Sequence, residues 1–478
     1  MMASRDFHVF SKDGQSYLFL SQPVAVFKID DDTRRVLQRV EQAEPLSGEF
    51  EERRGEEAQA FIEHHCRKAP PARALRAPED IGDKVAGLYL FLSQECNLKC
   101  AYCYGDEGEY GRRGRMDAAT LEHAFDTFFA GGEGRHFATF FGGEPLMNFP
   151  LMKTTARLSE RFRREGKGDV SLGIVTNGTF YNKEIGKFFR DHINDVTFSL
   201  DGPPDLTDSQ RLSKRGGSVY RTATENIRKF TADPSFNWAF RSIVTRAGHD
   251  RVAEIYRHLE NFRPGGIGVV NVDVPEDNPL YLDDGQYWRF VEQIVEINRE
   301  GLRSFIEGDQ PVAFEYPFYI LFYFISRRHA LYHCNAGTNL LAVTAEGDVY
   351  PCHRFVGTEE FNMGNVANPR LRQSERYREI RQRFVDATVD NREGCRDCWA
   401  RYLCGGSCAK YSHAEHGDIA PPVMRHCLYI KTVIEEILPD IVALVQSAET
   451  RQALMERLKA AVSNRYGSRG MEEEAPVA

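Results

Sequence analysis

Residues 87–103 read GLYLFLSQECNLKCAYC, and this stretch decides the fold because an apolar run leads directly into three cysteines. The run GLYLFL has the length and composition of a buried β-strand. Cys96, Cys100 and Cys103 follow it with three and then two residues between them. One loop at the carboxyl edge of a sheet would thus hold three corners of an iron–sulfur cubane and leave one iron open, since four protein ligands are usual. Zinc is the alternative, although zinc sites generally use two separated CxxC pairs.

Five more apolar runs of strand type lie between residues 85 and 275, and amphipathic helical segments separate them. These runs are HFATFF (136–141), DVSLGIVTNG (169–178), DVTFSLDG (195–202), NWAFRSIVTR (237–246) and IGVVNVDV (267–274). Strands that alternate with helices predict a parallel sheet. We therefore expect an α/β fold, a partial (β/α)6 barrel with helices outside and its chemistry at the carboxyl ends of the strands.

The flanking segments have different patterns. Residues 7–28 contain three short apolar runs separated by turn signals, and a helical pattern follows over residues 32–44. The pattern predicts an N-terminal strand-rich, recognition-like module with its linker (1–80), the partial barrel (81–284), a helical connection (285–333), a cysteine-rich domain (334–430) and a C-terminal helix with a polar tail (431–478).

The composition of the chain argues against some classes of function. The 61 Lys and Arg against 70 Asp and Glu give a formal net charge of -9, which argues against a nucleic-acid or acidic-membrane binder. The N-terminal residues 1–13 have no apolar core of the kind a secretory signal needs, and no later stretch approaches the length of a membrane span. We therefore expect a cytoplasmic protein, in which structural disulfides are uncommon. Ten of the eleven cysteines fall into two groups, which indicates metal ligation. Cys66 stands apart and is interpreted as an ordinary small buried residue.

The second cysteine group lies between residues 334 and 427. Cys334 and Cys352 are spaced as Cys-x12-Gly-x4-Cys through Gly347. A denser run follows, which consists of Cys395, Cys398, Cys404 and Cys408, with Cys427 after it. Taken alone, this group fits a zinc-stabilised lobe as well as iron–sulfur clusters, and the first group favours iron–sulfur.

The CxxxCxxC loop after the first strand resembles the signature of the radical S-adenosylmethionine (radical SAM) superfamily. In that family the open iron chelates the methionine moiety of S-adenosylmethionine, and reductive cleavage gives a deoxyadenosyl radical that abstracts hydrogen. The resemblance implies that Tyr102 contacts the adenine and that a site for the methionine ammonium is formed by Gly142, Gly143, Glu144 and Pro145. It also implies that Asn177 and Ser199 contact the ribose and carboxylate. Arg211 would pair with the methionine carboxylate.

The second group resembles the extension called SPASM, which holds two auxiliary 4Fe-4S clusters, so three clusters are expected in all. By this resemblance the outer cluster is bound by Cys395, Cys398, Cys404 and Cys427, and the inner cluster by Cys334, Cys352 and Cys408. Sulfatase-maturing members have one more cysteine near the position of Leu340, so the inner cluster here would have an open iron for a substrate thiolate, unless His333, His353 or Cys66 completes it. Those members also carry a catalytic aspartate where this chain has His353, which counts against oxidation of a sulfatase residue.

Auxiliary clusters of this kind accompany modification of ribosomally made peptides, and the N-terminal module is similar to elements that capture a leader peptide by strand addition. The overall plan resembles the maturases that form thioether bridges, from Cys sulfur to carbons of Asp and Glu, in the small subunit of quinohemoprotein amine dehydrogenase. The implied partners are a cysteine-containing peptide or small-subunit precursor and a low-potential electron donor such as a flavodoxin or ferredoxin. Other peptide modifications stay open, namely a carbon–carbon crosslink, epimerisation or formylglycine formation, as does a zinc-stapled peptide-binding module without catalysis.

Overall fold

The computed structural model describes residues 6–68, 74, 77–130, 134–307, 313–445 and 447–466. The strands are β1 Phe7–Lys12, β2 Gln15–Leu20, β3 Ala25–Ile29, β4 Gly87–Ser93, β5 Leu98–Cys100, β6 Arg135–Gly142, β7 Asp169–Thr176, β8 Asp195–Ser199, β9 Arg211–Ser213, β10 Asn237–Val244, β11 Gly266–Asn271, β12 Ala313–Phe314, β13 Leu340–Val343 and β14 Val349–Tyr350. The helices are α1 Asp31–Glu41, α2 Gly48–Lys68, α3 Pro78–Ile81, α4 Ala118–Phe128, α5 Phe149–Arg164, α6 Lys183–His192, α7 Pro204–Gln210, α8 Val219–Phe230, α9 Val252–Glu260, α10 Asp284–Glu307, α11 Glu315–Ser326, α12 Glu375–Asp386, α13 Arg401–Cys404, α14 Ala409–His416, α15 Met424–Leu444 and α16 Ala448–Tyr466. Short 3-10 helices cover Pro145–Asn148, Arg246–Gly248, Glu359–Phe361 and Leu371–Gln373.

The six predicted core strands all form, and they lie side by side in one sheet in the order β11-β10-β8-β7-β6-β4. Each pairs parallel with its neighbours, so their carboxyl ends meet at one edge. Helices follow these strands in the predicted alternation. The α/β fold class with a parallel core sheet is thus confirmed.

The core strands and helices form where their sequences favour them. Nearly every residue of β4 is buried, as expected of a strand covered on both faces. Several core helices begin at a side chain that caps the first turn: Asp117, Asn182 and Ser218 each accept a hydrogen bond from the backbone N–H three residues on. The helices between the strands are thus fixed at their amino ends beside the sheet.

The same sheet extends past the predicted strands in both directions. β12 pairs with β11 on one side, and β13 pairs parallel with β4 on the other, with β14 antiparallel beyond it. β13 comes from the second cysteine region, where the four residues LLAV lie among turns and gave no strand signal. Its register, Leu340 opposite Gly87, joins the second cysteine region to the core sheet by backbone hydrogen bonds.

The N-terminal module is the predicted small sheet with helices behind it. β1, β2 and β3 form an antiparallel meander, and the turn between β1 and β2 has positive φ at both Asp13 (49°) and Gly14 (76°), as a tight hairpin requires. The module docks on the second cysteine region: the ring of His8 stacks on Trp399 at 4.1 Å, and Ser21 donates to the Trp399 carbonyl at 2.7 Å.

The C-terminal segment differs in detail from its prediction. The single helix expected over residues 431–462 is two helices, α15 and α16, and α15 contains Pro439. The helical connection over 285–333 comprises α10 and α11, with β12 between them. The predicted linker over residues 68–79 lies mostly outside the described residues. Among the described residues, no helix combines the length and the apolar character needed to cross a membrane.

Candidate functional site

The first cysteine loop folds at the carboxyl edge of the sheet, directly after β4. Cys100 ends β5, which pairs antiparallel with β9, and the Cys103 N–H donates to the Cys100 carbonyl at 3.1 Å to close a turn. The thiols of Cys96, Cys100 and Cys103 lie within electrostatic range of one another. Burial raises the pKa of Cys96 to about 12 and that of Cys100 to about 11, so a metal would displace thiol protons on binding.

Gly142 and Gly143 let the end of β6 pack directly against the cysteine loop. A Cβ atom at Gly143 would lie 2.3 Å from the Glu95 carbonyl oxygen, and one at Gly142, where φ is 121°, would lie 2.2 Å from that of Ser93. The Gly143 N–H donates to the Ser93 carbonyl at 2.8 Å. No other residue type fits here, because a side chain would push away the loop that carries Cys96.

Glu144 is a fully buried carboxylate beside this loop. It accepts hydrogen bonds from the N–H of Leu146 at 3.1 Å, the hydroxyl of Thr176 at 2.9 Å and the N–H of Asn177 at 2.9 Å. Burial raises the pKa of Glu144 to about 7, although these uncharged donors partly offset the effect. A buried carboxylate whose recorded donors are all uncharged fits an ammonium ligand, as expected for the methionine moiety of the cofactor.

Asn177 joins the end of β7 to the cysteine loop. Its side-chain amide donates to Asn97 at 3.0 Å and lies 3.9 Å from the Cys96 sulfur. Ser199 ends β8 at the same edge and is half-buried, and Pro145 opens a short 3-10 turn next to Glu144. The structure thus brings the predicted residues of these three strand ends to one edge, and their contacts with cofactor stay predictions.

Arg211 forms an ion pair with a carboxylate, Asp201, to which the sequence assigned no role. The guanidinium donates through two nitrogens, each at 3.0 Å, to Asp201, which is fully buried. Tyr102 donates its hydroxyl to the same carboxylate at 2.6 Å, and its ring lies beside the guanidinium. Arg211 and Tyr102 therefore anchor the cysteine loop here. The sequence feature that could have identified Asp201 as a site residue is its place in SLDGP, directly after a core strand.

The seven cysteines of the second group lie in two neighbourhoods, and their assignment to two clusters stays a prediction. Cys352 lies within electrostatic range of Cys334 and Cys408, which form the inner set. Cys404 lies within range of the other three members of the outer set, which are Cys395, Cys398 and Cys427. Burial raises the pKa of Cys352 to about 12 and that of Cys427 to about 11. In the described part of the chain no three His, Cys, Asp or Glu side chains converge closely enough to hold a single metal ion.

The residues considered as a further inner ligand lie in different places. Cys66 is half-buried and packs against the separate core of the N-terminal module, which favours its interpretation as an ordinary structural residue over the alternative of an inner ligand. Leu340 is the first residue of β13 and pairs with β4. His333 bonds through Nδ1 to the Gly406 carbonyl at 3.0 Å, and the ring of His353 contacts those of Tyr89 and Phe141.

Comparison with known families agrees with this arrangement. Residues 90–233 match the model of the radical SAM superfamily, and residues 334–399 match that of SPASM, an iron–sulfur cluster-binding domain. The chain therefore has the domain composition of a radical SAM enzyme with a SPASM domain. S-adenosylmethionine and iron–sulfur clusters are the cofactors of these domains.

Individual relatives modify peptides or proteins in different ways. The chain is 23% identical to a cysteine-type anaerobic sulfatase-maturating enzyme of Clostridium perfringens, over 73% of this chain and 95% of the relative. It is 22% identical to the radical SAM cyclopropyl synthase TigE of Paramaledivibacter caminithermalis, over 75% of each. The solved structure of anSMEcpe with bound AdoMet superposes with a TM-score of 0.67 at 20% identity, over 80% of this chain and 98% of that one, which supports the fold.

Proposed function

We propose that this chain is a radical SAM peptide maturase that forms intrapeptide thioether crosslinks, from Cys sulfur to a carbon of Asp or Glu, in a ribosomally made polypeptide such as the amine dehydrogenase small subunit. The inner cysteine set carries the proposal. Cys334, Cys352 and Cys408 would supply three ligands to a 4Fe-4S cluster, and Leu340 stands near the place of a further cysteine. An iron left open there would bind the substrate thiolate and hold it for bond formation.

The first cysteine loop would hold the cluster that binds the cofactor. When bound, S-adenosylmethionine and this cluster supply a radical that removes a hydrogen atom from carbon. Cys96, Cys100 and Cys103 provide the ligands, and Glu144 holds the cofactor's ammonium in a site that excludes water. Asp201 keeps the loop in position through Tyr102 and Arg211.

The N-terminal module would supply peptide recognition. Among the described strands, β3 pairs only with β2, so its other edge is open to a strand of the leader peptide. The module also sits directly on the second cysteine region, where His8 stacks on Trp399. A peptide bound at β3 would therefore be held next to the domain that is proposed to bind its cysteine.

His353 argues against formylglycine formation. It occupies the position of the catalytic aspartate in sulfatase-maturing members, and its Nδ1 is buried without a hydrogen-bond partner among the described residues. The imidazole packs against the rings of Tyr89 and Phe141 at 4.6 and 4.8 Å.

The test is mass spectrometry of a cysteine-containing peptide after anaerobic incubation with reconstituted enzyme, reductant and S-adenosylmethionine. Loss of two hydrogens per crosslink, with cysteines that resist alkylation, is the expected result, and deoxyadenosine is measured in parallel. A variant with Ala at Cys96, Cys100 and Cys103 serves as the control and should make no deoxyadenosine. Deoxyadenosine with freely alkylated cysteines would contradict thioether formation and favour a carbon–carbon crosslink or epimerisation.

A further inference from the structure

Asp273 lies two residues beyond the end of β11, at the edge of the sheet that carries the cysteine loop. The N–H of Val272 still pairs with the Val244 carbonyl at 2.8 Å, so the backbone that leads to Asp273 is fixed by the sheet. Carboxylates at this edge of a parallel sheet are placed where chemistry occurs. The proposed function has not assigned this one a role.

The side chain of Asp273 faces the space between the two cysteine regions. It accepts a hydrogen bond from Arg354, which follows the inner-set Cys352 by two residues. The Arg354 guanidinium lies between the rings of Tyr104 and Tyr411, with Cζ at 5.1 and 4.6 Å from their centres. Tyr104 follows Cys103 and lies within electrostatic range of both Cys103 and Cys352. Asp273 and Arg354 are therefore placed between the proposed radical site and the inner set.

Asp273 and Tyr104 are partly enclosed by protein and partly accessible to solvent. The side chain of Asp273 is 38% exposed and Tyr104 is 46% exposed, although burial raises the pKa of both. This combination is expected of groups on the wall of a recess. The Nε of Arg354 is also buried without a hydrogen-bond partner among the described residues. Its N–H is therefore available as a donor to a bound ligand.

We propose that Asp273 is a catalytic residue that accepts the thiol proton of the substrate cysteine, with Arg354 as the residue that positions it. The inference rests on the proposed function. The substrate S–H and C–H bonds break and one C–S bond forms. The hydrogen atom from carbon would join the deoxyadenosyl radical to give deoxyadenosine, the thiol proton would go to Asp273, and the remaining electron would go to an oxidised iron–sulfur cluster. In sulfatase-maturing relatives a catalytic aspartate stands at the position of His353. In this chain Asp273 would accept the substrate proton instead.

The charges around Asp273 keep the carboxylate available for this task. Burial raises its pKa, while Arg354 and Lys410 oppose the rise. Tyr411 also faces it. A carboxylate with a raised pKa accepts a proton more readily than one with an ordinary pKa.

The experiment compares Asp273→Asn with Asp277→Asn, a matched loss of an exposed carboxylate four residues further along. Iron content, deoxyadenosine and crosslinked peptide are measured anaerobically for both variants and for the wild-type enzyme. We expect normal iron content and deoxyadenosine in Asp273→Asn, with crosslinking slower by about 100-fold, the size of a typical general-base contribution. Asp273→Glu should recover part of the rate.

A pH series separates proton acceptance from a purely structural role. Between pH 7 and 9 the crosslinking rate of Asp273→Asn should rise relative to the wild-type rate, because a cysteine thiol with a pKa of about 8.5 then loses its proton to water. Crosslinking by Asp273→Asn at the rate of Asp277→Asn, or a parallel pH response, would overturn the role of Asp273 alone. A wild-type enzyme that makes no crosslink would overturn the proposed function and this inference together.

Discussion

The hydroxyl of Tyr102 donates a 2.6 Å hydrogen bond to the carboxylate of Asp201, and this contact ties the cysteine loop to the segment that follows strand β8. The same carboxylate accepts two bonds from Arg211 and one from the N–H of Ile243 at 3.1 Å. The buried carboxylate of Asp201 thus joins four parts of the chain, namely the cysteine loop, the segment after β8, β9 and β10. The position of the first cysteine loop depends on this carboxylate.

Replacement of Asp201 by Ala should destabilise the protein strongly, because Arg211 would keep a buried charge without its partner. We expect a loss of about 3 kcal/mol or more in the free energy of unfolding, as is typical when one member of a buried ion pair is removed. Asp205→Ala is the control, since its pair with Arg251 lies at the surface and should contribute at most about 1 kcal/mol. Anaerobic denaturant unfolding measures both, and equal losses would contradict the anchoring role.

Replacement of Gly143 by Ala should remove the first cluster and spare the others. The added Cβ would meet the Glu95 carbonyl oxygen at 2.3 Å, so the loop that carries Cys96 must move. After anaerobic reconstitution we expect about four fewer irons per chain, the content of one 4Fe-4S cluster, and no deoxyadenosine. Gly114→Ala is the matched control, because its Cβ would meet only the Ala345 Cβ, at 3.7 Å. Full iron content in Gly143→Ala would show that the loop tolerates the change.

Replacement of Glu144 by Gln should weaken cofactor binding. The pKa of Glu144 is about 7, so the carboxylate is mostly charged at pH 8 and can pair with an ammonium, whereas it is protonated at pH 6. Wild-type affinity for S-adenosylmethionine should therefore fall as the pH drops through 7, while the affinity of Glu144→Gln should be at least about tenfold weaker at pH 8 and change less with pH. Anaerobic equilibrium dialysis measures both, with Glu122→Gln as a surface control. Unchanged affinity at pH 8 would place the ammonium elsewhere.

The docking of the N-terminal module should depend on pH through His8. Burial lowers the pKa of His8, but hydrogen bonds to Glu41 at 2.6 Å and Glu435 at 2.9 Å outweigh it and raise the pKa. The stabilisation is therefore fully present below pH 6.5 and is lost as the pH rises through the folded-state pKa. His8→Gln should lower the melting temperature more at pH 6 than at pH 9. His249→Gln, which removes a ring bonded to a backbone carbonyl, is the comparison variant for the effect of losing a histidine.

Much of this architecture follows from local sequence patterns. The six core strands are predicted because each is an apolar run bounded by helices, and the cysteine sets are predicted because their spacing is specific. β13 was not predicted, since a four-residue strand becomes stable only through its pairing with β4. The role of Asp201 was also hidden, because its partners Tyr102 and Arg211 are brought to it only by the fold. Asp273 could not be distinguished from other carboxylates until its contact with Arg354 was known.

The pairing of β13 with β4 has a consequence for biosynthesis. The strand that leads into the first cysteine loop is completed by a partner that leaves the ribosome about 250 residues later. Until then one side of an apolar strand is uncovered, which is the condition that promotes intermolecular association. Correct maturation of this protein should therefore depend on keeping the nascent chain soluble until its carboxyl-terminal half has emerged.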